Sequence, residues 1–72
     1  MTPMDFKRWR TSLGWNQAKA AEALGLSVKM VGLYERGYRY EENGRPVEIP
    51  KTVELACAAL ALGIHHYRPR EE

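Results

Sequence analysis

Cysteine, histidine and phenylalanine are nearly missing from this chain: 72 residues hold one, two and one of them, and the longest apolar run is Leu55 to Leu62. Each scarcity removes a class of protein. Cys57 has no partner within the chain, so no disulfide framework forms and a reducing, intracellular setting is expected. The run ending at Leu62 falls far short of a bilayer span, and no apolar leader opens the chain, so a cytoplasmic protein with no membrane partner is expected. His65 and His66 with Cys57 upstream match no zinc spacing, so neither a metal nor a cofactor is expected. No serine, histidine and acid are spaced as a catalytic triad, and so short a chain buries only about 60% of its extended surface, which leaves no room for a deep cleft. The expectation is a single domain over 1–72 that is not an enzyme, with 64–72 as a partly ordered tail.

What is present is uneven in charge. The formal net charge is only +2, but residues 1–40 carry seven basic side chains against three acids, whereas residues 41–72 carry four against six. Such asymmetry suits a protein with one nucleic-acid face and another face turned elsewhere.

Residue chemistry marks four helices. Thr2 is a cap and Pro3 a first helical residue, with Asp5 closing an acidic capping box, so a first helix runs from Pro3 to about Leu13. Its stripe is Phe6, Trp9 and Leu13, with Lys7, Arg8 and Arg10 off it, toward solvent or phosphate. Asn16 caps a second helix, Gln17 to Leu24, thin with alanines at 18, 20, 21 and 23 and with Trp15 as a staple against Ala20. Gly25 supplies the left-handed position that turns the chain. Ser27 then caps a third helix, Val28 to about Glu35, stapled from Leu26 to Val31 and closed by Gly37. Val31 and Tyr34 point inward, which leaves Val28, Lys29, Gly32 and Leu33 on the outer face. Residues 38–49 break the helical pattern around the turn dipeptide Asn43-Gly44, as an ordered loop or a small ribbon. A fourth helix starts near Pro50 and runs through Leu62 to Gly63. It is apolar over most of its circumference, so it is expected to pack on its own domain and on a second subunit. The tail from Ile64 to Tyr67 offers a further short turn before Pro69.

Two short helices joined by a glycine turn leave the second one protruding, and such a helix fits the major groove of B-DNA. Gln17, at the start of the second helix, is placed to bond phosphate through its amide, beside free backbone N–H groups. Trp15 to Gly37, WNQAKAAEALGLSVKMVGLYERG, resembles the Cro and phage-repressor type of helix-turn-helix, the XRE-like family of compact transcriptional regulators. The matching elements are Asn16-Gln17-Ala18, the small residue Ala21, Leu24-Gly25-Leu26-Ser27, Val31 and Tyr34-Glu35-Arg36-Gly37. The resemblance implies an all-α domain of four to five helices that binds pseudo-palindromic operators as a dimer. It makes Gln17 a phosphate clamp and Val28, Lys29, Gly32 and Leu33 the base-facing set.

Two features depart from that pattern. The outer face of the third helix is mostly apolar, so Lys29 is the one obvious direct reader of a base edge, while Val28 and Leu33 suit thymine methyls. The loop after the third helix is long and surrounded by Arg36, Arg39, Arg45 and Lys51, which together with Lys19 complete the expected phosphate-contacting set. Tyr38 and Tyr40 either pack this loop down or donate to phosphate. Glu35 is expected to pair with Arg8 or Arg10, since an acid near DNA would otherwise repel it.

The leading expectation is therefore a homodimeric, sequence-specific regulator of double-stranded DNA, most simply a repressor at a palindromic operator on the nucleoid. Its dimer contact would come from the fourth helix or the C-terminal tail. The competing expectation is an antitoxin or adaptor, a protein-interaction module that keeps the helix-turn-helix shape and meets a toxin or other protein through the same apolar face.

Overall fold

Each of the first three helices starts on a side chain that satisfies an orphan backbone N–H. In the computed structural model, which describes residues 1–70, the Asp5 amide donates to Thr2 Oγ1 at 3.1 Å and the Thr2 amide donates to Asp5 Oδ2 at 3.0 Å. That closed capping box opens α1 (Pro3–Ser12). Asn16 Oδ1 accepts from the Lys19 amide at 2.8 Å to open α2 (Gln17–Leu24), and Ser27 Oγ accepts from the Met30 amide at 3.1 Å to open α3 (Val28–Arg36). Between α2 and α3 stand only Gly25, Leu26 and Ser27, and Gly25 takes the left-handed conformation at φ +70°. So short a joint holds the two helices as one unit.

Residues 38–49 fold into a small ribbon with a helical tip. β1 (Tyr38–Arg39) pairs antiparallel with β2 (Arg45–Pro46), Tyr38 opposite Pro46 and Arg39 opposite Arg45. A single 3₁₀ turn at Tyr40–Glu42 and the positive-φ pair Asn43 and Gly44 connect the strands. The Val47 amide donates to the Gly37 carbonyl at 2.9 Å, which fastens the returning strand to the end of α3. α4 (Lys51–Ala61) follows, with Pro50 at its N-cap and no side-chain capping bond. Leu62 and Gly63 close it, and the Ile64 amide donates back to the Ala59 carbonyl at 2.9 Å. Among the described residues there are four α-helices and no fifth. The tail from Ile64 to Arg70 contains only a bend at His66, and Glu71 and Glu72 lie outside the described residues.

The core takes two residues from each helix: Phe6 and Trp9, Ala20 and Ala21, Val31 and Tyr34, Cys57 and Leu60. α3 packs on α1 and α2, and α4 closes over the other side of that pair. Phe6 sits centrally, its ring 5.3 Å from Trp9 and 5.7 Å from Tyr34. Trp9 Nε1 donates to the Cys57 carbonyl at 2.9 Å, so the one polar atom of that ring is satisfied where it is buried. Burial pushes the Cys57 thiol up to about 11, leaving it a protonated, packed side chain.

Candidate nucleic-acid interface

α3 is buried along one side and open along the other. Val31, Leu33 and Tyr34 are buried, whereas Val28 and Lys29 are exposed and Gly32 is half-exposed, with open space where a side chain would stand. Helical spacing puts 28, 29 and 32 on one side of the cylinder. Leu33 departs from the sequence expectation: only 4% of it is accessible, so it is not offered to a groove in this conformation. It stands one turn before Gly37, where the chain leaves the helix for the ribbon, and a leucine there gains more from burial than from exposure. The outward apolar residue of α3 is Val28, which is 48% accessible.

Gln17 begins α2 and is partly buried, because its amide turns toward the far end of α3. Its Nε2 donates to Glu35 Oε1 at 3.3 Å. The same carboxylate takes two bonds from Arg10, Nε at 2.6 Å and Nη2 at 3.0 Å, while Arg10 Nη1 donates to the Trp15 carbonyl at 2.8 Å. Arg10, not Arg8, is therefore the partner of Glu35. Both side chains are largely covered, 13% and 8% accessible, so Arg10 is withdrawn from the solvated set on α1. Burial pushes the Glu35 carboxyl up, but the bonds from Arg10 and Gln17 and the charges of Arg10 and Lys7 outweigh it and hold the group below its usual range. The forked pair is the strong kind of ion pair, and it neutralises an acid that sits beside the surface of interest.

The ribbon and the first turn of α4 spend much of their positive charge on their own acids. Arg39 pairs with Glu42 at 3.3 Å, Arg45 approaches the same carboxylate at 4.0 Å, and Lys51 reaches Glu54 at 3.6 Å. These pairs are solvent-exposed, so each is weak. Arg36 is held differently: its Nε donates to the Tyr38 carbonyl at 2.8 Å and its guanidinium lies 4.1 Å from the centre of the Tyr40 ring. Tyr38 and Tyr40 meet edge to face at 5.1 Å, and the Tyr38 hydroxyl donates to that of Tyr40 at 3.3 Å. The two tyrosines, both exposed, thus contact each other and hold Arg36 between stack and carbonyl. Lys19 is exposed on α2, its ammonium 5.9 Å from the Trp15 ring.

One acid was not anticipated. The Glu41 carboxyl is held below its usual range, first by its own backbone N–H against a burial penalty, and then by the charges of Lys29, Arg36 and Arg39. The tip of the ribbon therefore brings a negative charge near the exposed lysine of α3. Local spacing gives no sign of this, because positions 29 and 41 lie twelve residues apart and the field between them depends on the path of the ribbon.

Residues 6–40 match the protein-family model described as Helix-turn-helix, and that segment runs from the first core residue of α1 through α2 and α3 into the ribbon. No curated protein and no solved structure matches the chain.

Proposed function

From the premise that residues 6–40 are a helix-turn-helix domain of the Cro and phage-repressor, XRE-like type, a transcription-factor module and not an enzyme, we propose that this chain is a sequence-specific regulator of double-stranded DNA. It acts as a homodimeric repressor on a palindromic operator in the cytoplasm, as one domain. The observation that carries this reading is the rigid α2–α3 joint at Gly25, which leaves Val28, Lys29 and Gly32 open on α3 beside the N-terminus of α2. Lys29 has no ion-pair partner among the described residues and donates to guanine O6 or N7, while Val28 meets a thymine methyl. Gln17 and Lys19 hold phosphates on the α2 side, and Arg36 at the end of α3, Arg39 and Arg45 on the ribbon and Lys51 at the start of α4 do so beyond it. With so few base contacts, the backbone and the shape of the duplex share the discrimination.

The apolar side of α4 supports the homodimer. Leu55 is 58% accessible and Leu62 79%, and Ile64 and Tyr67 extend the same exposed character into the tail. Two copies would set their α3 helices in successive major grooves about 34 Å apart.

Selection of duplexes from a random pool, read for two-fold symmetry, tests the reading directly. In the selected site, Lys29→Ala lowers affinity by about 1–3 kcal/mol and relaxes preference at one base pair, whereas Arg39→Ala weakens all sequences alike. A Lys29→Ala protein that kept both affinity and preference would sink the assignment of Lys29. Binding that does not weaken as salt rises would sink the DNA reading itself and favour a protein partner.

A further inference from the structure

The Glu35 side chain is largely covered, yet it holds the Gln17 amide at the first position of α2. We infer that Glu35 is a positioning residue for phosphate contact: it orients the Gln17 amide through a direct hydrogen bond, with Arg10 holding Glu35 in place. This rests on the DNA-binding reading above.

The geometry is a chain of three fixed groups. The Trp15 carbonyl and the Glu35 carboxylate anchor the Arg10 guanidinium on both of its edges, at 2.8, 2.6 and 3.0 Å. That fork leaves the carboxylate one rotamer, and Glu35 Oε1 then takes Gln17 Nε2 at 3.3 Å. An ionised carboxylate only accepts hydrogen bonds, so it draws the NH₂ end of the amide and rejects the carbonyl end. The amide has two N–H groups. One goes to Glu35, and the second is left for an oxygen arriving at the start of α2, where the backbone N–H groups also favour an anion. A glutamine free to rotate would lose side-chain entropy on binding and would present its carbonyl to the phosphate part of the time. Pre-orientation removes that cost. Arg10 adds a second effect: it neutralises the carboxylate, so the incoming phosphate does not meet a bare negative charge.

A purely structural role for Glu35, tying α1 to α3, makes a different prediction, and combined substitutions separate the two. Glu35→Ala removes the carboxylate. Glu35→Asp keeps the charge but draws the carboxylate back by one methylene, away from Gln17 and Arg10 alike because Oε1 takes a bond from each, so the comparison with and without Gln17→Ala is what isolates the positioning effect. Each is measured alone and together with Gln17→Ala, using a fluorescent duplex selected by the wild-type chain and, beside it, a duplex of unrelated sequence. Circular dichroism melting establishes the temperature at which every variant is folded.

Glu35→Asp alone is expected to weaken binding to both duplexes by about 3- to 10-fold, the size of one hydrogen bond. Combined with Gln17→Ala, it is expected to change binding by less than about 2-fold, because the group it positions is gone. Glu35→Ala should show the same dependence on Gln17 among folded samples. Equal losses with and without Gln17→Ala, or no loss from Gln17→Ala itself while the wild type binds tightly, would overturn the inference and leave the DNA reading standing. Failure of the wild-type chain to bind any duplex overturns both.

Discussion

A methyl group placed on Gly37 would lie 2.8 Å from Cγ of Pro3, and the backbone there already sits at φ +86°. At Gly25, φ is +70° but nothing lies within 4 Å of the same methyl. Left-handed backbone costs an ordinary L-residue roughly 1–2 kcal/mol, so Gly25→Ala should lose about that much. Gly37→Ala should lose more, because the clash with the first turn of α1 adds to the strain; urea denaturation of the two variants gives the order directly. Glu35 makes a second residue-scale prediction. Its carboxyl is held below the unfolded value of about 4.3, so its contribution to stability is present above that pH and is lost as the pH falls through the folded value. Arg10→Met removes the main group opposing burial, so the folded-state carboxyl rises toward or above its unfolded value: stability at neutral pH falls, and the further loss on acidification shrinks or reverses relative to the wild type. A urea midpoint measured against pH checks the direction.

Helices were the most legible scale of this chain. Caps at Thr2, Asn16 and Ser27, with glycines at 25 and 37, place α1, α2 and α3 to within a residue, because capping is chemistry between positions three apart. Asn16→Ala should therefore cost about 1 kcal/mol in thermal or urea unfolding, since the Lys19 amide loses its acceptor. The exposure of each residue around a helix was less legible. Leu33 was expected on the open face because Val31 and Tyr34 alone seemed to define the inward one. Periodicity finds the centre of a buried stripe but not its width, and the width of this one is set by what packs beside it. The ribbon was anticipated at Asn43-Gly44 as a ribbon or a loop. Its 3₁₀ tip, and the pairing of its arginines with Glu42, depend on a return path that the residues do not encode locally.

At the scale of the molecule, the surface divides between a partly neutralised basic side and an apolar one. Leu55 and Leu62 on α4 and its end, with Ile64 and Tyr67 beyond, leave large side chains in water, and none of the four α-helices is long and apolar enough to cross a membrane. If that side joins two copies, Leu55→Glu with Leu62→Glu should give a monomer by sedimentation at micromolar concentration. The same protein should bind a two-half-site duplex about 100-fold more weakly while its binding to an isolated half-site is unchanged, since only the linkage between copies is lost. A wild-type chain that sediments as a monomer both free and on the duplex would overturn the dimer.

The sequence by itself determined the helices, their joints and the helix-turn-helix they compose, because caps, glycine turns and apolar spacing act between residues a few positions apart. Tertiary structure decided which of the charged and polar groups are free to act. The sequence narrows the partner of Glu35 to Arg8 or Arg10, but the choice of Arg10, 25 residues away, and the joining of Gln17, 18 away, follow only once α1 and α3 are packed around Phe6. A charge is available or committed according to what lies across from it in space, and no spacing along the chain carries that information.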